Sequence, residues 1–104
     1  MQNTQGSLQL TVKRKPQFFL FNPPIHTVVD QHPPFALEKK GSRVFSVEPG
    51  AHLVSFNYRI LGVERVTIAR ITMNANATVT VAFNRSNDLM DVECSAPVEI
   101  IEQR

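Results

Sequence analysis

A chain of 104 residues, 42% hydrophobic and 19% charged, fits one domain: too apolar for disorder, and large enough to bury a core without disulfides or metal. No run approaches the roughly 18 apolar residues of a membrane-crossing helix, so no membrane role is expected. The net charge of +2 is modest, and the single cysteine, Cys94, excludes an internal disulfide.

Along the chain the dominant signal is two-residue alternation broken by turn residues, with almost no helical period. In SLQLTVK, Leu8, Leu10 and Val12 share one face, which predicts a strand with one side on a core. QFFLF is apolar on both faces and is expected as a strand buried on both sides or at an interface. Asn22-Pro23-Pro24 then breaks any ladder. IHTVVD is predicted as a strand, DQHPP as a turn, FALE as a short strand and KKGS as another turn. RVFSVE and LVSFNYRI flank Pro49-Gly50 as the arms of a hairpin, with Val54, Phe56, Tyr58 and Ile60 facing one way. Further on, Val66 and Ile68 have even parity while Ile71 and Met73 have odd parity, which predicts a bulge near Ala69-Arg70. NANA reads as a polar turn, TVTVAFN as a strand with Val79, Val81 and Phe83 inward, and RSND as a turn. In the last extended stretch Val92 and Cys94 precede Pro97, which marks an edge strand or a bend, and Val98, Ile100 and Ile101 follow it. Roughly seven to nine short strands with regular turns predict an all-β, single-domain antiparallel β-sandwich (Ig-like) over residues 1–104, with a small β-barrel as the alternative.

Residues 25–60 carry a recognisable pattern: Val29-Asp30 at a strand end, then Phe45 and Val47, then Pro49-Gly50-Ala51-His52 leading into Val54 and Phe56. This stretch, about a third of the chain, resembles the small Ig-like repeats of bacterial proteins typified by the PEGA domain. It departs from them at Gln31, where glycine is usual, and at Pro33-Pro34, where a short loop is typical. The resemblance implies a small non-catalytic sandwich used for binding or as a structural accessory, and it carries over no catalytic residue.

Proline at position i+1 and glycine at i+2 suit a type II turn, so Pro49 and Gly50 account for the reversal as structural turn residues. His52 then begins a strand, where its imidazole can bond a neighbouring strand or cap the turn. A metal site would need His26, His32 and His52, with Asp30, to converge, and their spacing matches no tetrahedral motif. Cys94 lies in an acidic neighbourhood, the opposite of what activates a thiolate, and there is no Gly-x-Ser-x-Gly and no phosphate-cradling loop. No catalytic residue, metal or cofactor is therefore expected.

Charge offers the rival reading. Residues 1–85 hold ten Lys/Arg against four acidic residues, while residues 86–104 hold Arg104 against five. The acidic segment can lie against a basic face of its own domain or pair between subunits. Lys13, Arg14 and Lys15 precede the phenylalanine run, and with Arg59, Arg65 and Arg70 they are the candidate partner-binding residues. A small basic barrel stacking single-stranded nucleic acid on aromatics would use them. The reading preferred is a non-catalytic interaction or assembly module of a small bacterial or phage protein, binding a protein partner or forming a homodimer. The N-terminal MQNTQGSLQLTVKRK shows no secretory signal, and one unpaired cysteine fits the cytoplasm.

Overall fold

The computed structural model describes residues 8–17, 23–38, 41–60 and 62–104. Nine strands are present among them: β1 (Leu8–Arg14), β2 (Ile25–Val29), β3 (Phe35–Leu37), β4 (Ser42–Val47), β5 (Gly50–Ile60), β6 (Val63–Met73), β7 (Ala77–Asn84), β8 (Leu89–Cys94) and β9 (Val98–Gln103). They form two sheets, ordered β4-β1-β7-β8 and β3-β2-β5-β6-β9, so the domain is a β-sandwich with open edges rather than a closed barrel. Of the QFFLF run, only Gln17 lies within the described residues. Among those residues, no helix is long and apolar enough to cross a membrane.

Alternation decides what goes inside. Leu10 and Val12 of β1, Val54, Phe56 and Tyr58 of β5, and Val79 and Val81 of β7 are fully buried, each two residues from the next in its strand. Each such side chain contributes roughly 1.5–3 kcal/mol through burial, which makes these inward rows the main stabilising term. The predicted inward faces of β1, β5 and β7 match the structure at the described side chains, although Phe83 is only half-buried; the side chain of Ile60, also expected inward, lies outside them.

Three expectations are corrected. The pairing is not wholly antiparallel, because β1 runs antiparallel to β4 but parallel to β7. Strand β6 carries no bulge against β5: the register runs unbroken from Gly50↔Met73 to Ile60↔Val63. Thr67, Ala69, Ile71 and Met73 are its buried row, and Val66 and Ile68 half-bury themselves on the outer face, which is why their parity misleads. The irregularity occurs opposite Ile68/Ala69 instead, where β9 inserts one extra residue, Ile101.

The third correction concerns Pro49-Gly50. Strand β4 belongs to the sheet of β1, whereas β5 belongs to the sheet of β2 and β6, so this segment is a crossover between sheets rather than a hairpin. Gly50 has φ +124° and already pairs with Met73. A Cβ there would meet nothing within 4 Å, so the constraint is backbone conformation and not space. Gly50→Ala should therefore lower stability by about 1 kcal/mol or more, read as a reduced urea midpoint at unchanged m-value; an unchanged midpoint would show that the crossover relaxes without strain.

Candidate functional site

The most connected polar cluster closes one end of the sandwich. Asp30 follows β2 with φ +49°, in the left-handed region where the strand ends. Its backbone N–H still donates to Leu53 O at 2.8 Å. The reciprocal bond is made by the side chain, whose Oδ1 accepts the Leu53 N–H at 2.9 Å. Thus the carboxylate extends the β2–β5 ladder one step beyond Val29↔Val54.

Its other oxygen reaches His52. Nδ1 of His52 lies 2.6 Å from Asp30 Oδ2, and Nε2 lies 2.7 Å from the carbonyl of Glu48. Both partners are acceptors, so the ring satisfies both only as the doubly protonated imidazolium. Burial opposes that charge, but the Glu48 carbonyl and the Asp30 carboxylate outweigh it and the pKa is raised from 6.5. His52 therefore does both things expected of it, bonding a neighbouring strand and capping the crossover.

The three histidines do not converge. His26 lies on the outer face of the five-stranded sheet opposite Asn57, and His32 sits beyond β2 with Nδ1 3.0 Å from Val29 O and its ring centre 5.0 Å from that of Phe45. His32 and His52 line one open concavity with Asp30, Gln31, Pro33, Ala51 and Leu53, while His26 lines another on the sheet face. Among the described residues, no group of three His, Cys, Asp or Glu is placed to hold a metal ion. Cys94 is half-buried against the core, and neighbouring Ser95 uses its Oγ to accept the Thr78 N–H at 3.0 Å.

The candidate partner-binding cations do not form one patch, for a reason of parity. Arg14 continues the inward row of Leu8, Leu10 and Val12 and is 2% exposed. Its Nη1 donates to Pro23 O at 2.9 Å and Leu37 O at 3.0 Å, and its guanidinium lies 5.8 Å from the Tyr58 ring centre. Burial lowers its pKa, with Tyr58 and Glu38 opposing the shift, yet an arginine so placed keeps its proton. Arg65 shares the inward side with Tyr58 and reaches Asp88 at 4.0 Å. Arg59 and Arg70 point outward from the five-stranded sheet, where Arg59 meets Glu64 at 3.5 Å and Arg70 meets Glu99 at 2.9 Å. Lys13 and Lys15 belong to the outer face of the other sheet, and Lys15 lines a small concavity with Asp91 and Glu93. The acidic C-terminal strands thus lie against basic residues of their own domain.

Between the ion pairs, the outer face of the five-stranded sheet is apolar in part. Register places Val28, Ser55 and Ile68 in one row, Asn57 and Val66 in the next, and exposed Leu53 beside Arg70. Val44, Ile100 and Ile101 are exposed on edge strands. These surface residues were not singled out from the sequence, where each resembles a core residue of its strand. Their signal is their neighbours: Val44 lies between Arg43 and inward Phe45, so it takes the outward side.

No protein-family model, no characterised protein and no solved structure matches the chain. The class that fold and surface define is an all-β sandwich with closed ion pairs and open edges.

Because the pKa of His52 is raised on folding, its charge stabilises the fold fully below about pH 6.5, and the contribution is lost as pH rises through the folded value. His52→Ala should cost about 1–2 kcal/mol near pH 5.5 and distinctly less once the pH has risen past the raised folded value. Denaturant unfolding of both chains across that range is the measurement; a difference independent of pH would mean the ring acts without its charge.

Proposed function

We propose that this chain is a non-catalytic interaction or assembly module that binds a protein partner or a second copy of itself. The observation that carries this reading is the pairing of exposed apolar side chains with internally closed charges. Val44, Leu53, Ile100 and Ile101 lie open, while on the five-stranded sheet Arg59 and Arg70 face carboxylates of the same chain and Arg43, next to Val44, is turned over the Phe35 ring. Apolar surface without free charge around it favours protein over polyanion. The resemblance to PEGA-type repeats supports the same class, and one half-buried cysteine suits a reducing, cytoplasmic setting.

Binding to single-stranded nucleic acid is the weaker reading. It needs a contiguous basic groove, and the six cations proposed for it are divided among the interior and two opposite faces. Fluorescence anisotropy with a labelled oligonucleotide should give only weak binding with a shallow salt slope. Tight binding that collapses between about 50 and 200 mM salt would replace the interaction-module reading.

A further inference from the structure

Among the described residues the two open sheets have four edge strands, and they are not equivalent. Strand β3 has three residues and follows Pro33-Pro34. Strand β8 carries Asp91 and Glu93 on its outer face. Strand β9 follows Pro97, is interrupted by its extra residue and carries Glu99 and Glu102. Shortness, proline, bulges and charge are the devices that keep sheet edges from pairing with other chains, and β4 has none of them on its outward row.

The hydrogen-bond phase of β4 can be read from its neighbours. Arg14 N donates to Gly41 O at 3.0 Å, one step beyond the Lys13↔Ser42 pair. In an antiparallel ladder every second residue pair is hydrogen-bonded, so Val12↔Arg43, Leu10↔Phe45 and Leu8↔Val47 are the bonded pairs. The N–H and C=O groups of Ser42, Val44 and Ser46 therefore point away from β1, out of the sheet edge. The same three side chains are exposed on the outer face, Val44 at 55%. Arg43, the one charge on the strand, is turned across the sandwich with its guanidinium 4.9 Å from the Phe35 ring centre.

The sequence along this edge, Ser42-Arg43-Val44-Phe45-Ser46, is self-complementary about Val44. We propose that β4 is a homodimerisation edge, on which a second copy of the chain docks its own β4 antiparallel about a two-fold axis through Val44. That register sets Val44 against Val44 and Ser42 against Ser46, and each pair exchanges both backbone bonds. No charge faces a like charge across the axis, and Arg43 lies opposite Phe45 of the other copy. A copy offered to β8 or β9 in the same way would oppose carboxylates to carboxylates, which is destabilising. The charge pattern thus selects β4 for a second copy.

This inference deepens the interaction-module reading and rests on its self-association branch. Sedimentation velocity of the full chain, from micromolar to hundreds of micromolar, should show a reversible monomer–dimer equilibrium. The dimer should persist at high salt because the docked rows are uncharged. Val44→Glu places two like charges face to face at the axis and should weaken association at least about tenfold. At concentrations where both chains are monomeric its thermal midpoint should match that of the native chain, because position 44 does not face the core. Val44→Cys, oxidised and digested, should give a disulfide between two copies of the peptide containing position 44. A dimer indifferent to Val44→Glu, with no such cross-link, overturns the β4 edge and leaves self-association through another surface. A wild-type chain that stays monomeric throughout overturns self-association as well, leaving only a heterologous protein partner.

Discussion

The chain has to leave one sheet and enter the other between Val47 and Gly50, and the fold depends on that crossing being held in place. Gly50 supplies a backbone conformation that side chains disfavour, and His52 fixes the result by donating to the Glu48 carbonyl on one side and to Asp30 on the other. Asp30 in turn extends the β2–β5 ladder through its carboxylate. Three segments that would otherwise fray at the sandwich end are thereby joined by one charged pair. Side-chain exposures of 14% and 30% leave the pair shielded enough to matter, without the large desolvation cost of a fully buried one. The residues that look most like a site in sequence are thus accounted for by architecture.

The same economy governs the arginines. A basic N-terminal part and an acidic C-terminal part are brought together when β8 and β9 add to the ends of their sheets. Arg70 meets Glu99 across the β6–β9 pair, and Arg65 meets Asp88 at the turn between β7 and β8. Individually such exposed pairs stabilise the fold by little, on the order of 0–1 kcal/mol. Their larger effect is on the external field, because a cation facing a carboxylate at these distances attracts a distant polyanion weakly. The charge asymmetry of the sequence is therefore spent inside the fold.

Much of this was legible in the alternation of residues. Parity placed the inward rows of β1, β5 and β7, and followed two residues further it also places Arg14 inside, beyond the reach of an external partner. It failed in β6, where Val66 and Ile68 are apolar but face outward and partly shield one another's surroundings on the sheet. Local chemistry at Pro49-Gly50 specified a sharp change of direction but not which sheet the next strand joins, since that is decided by long-range pairing with β2 and β6. The parallel pairing of β1 with β7 was hidden for the same reason, because strands 60 or more residues apart leave no mark on each other's spacing. The Asp30–His52 bond spans 22 positions and likewise follows from the register of β2 against β5, not from any motif.

The β3–β4 side of the sandwich shows how packing within can prepare a surface without. His32, Phe35 and Phe45 bring their rings together, with His32 and Phe35 centred 5.0 and 5.4 Å from Phe45, and Arg43 covers Phe35. This aromatic group joins the edges of the two sheets and fixes the inward side chains of β4. With Phe45 and Val47 anchored inside, β4 is one continuous strand from Ser42 to Val47 that presents its outward backbone groups at the sheet edge. An edge held rigidly from within loses little conformational entropy when another strand is added, which is the condition under which a small interface can be specific. On the opposite side, β8 packs over β6 and β9, and there charge and the extra residue in β9 do the protecting. The two sides of one sandwich thus solve the problem of unpaired backbone in opposite ways, one by discouraging addition and the other by leaving an ordered row of donors and acceptors in place.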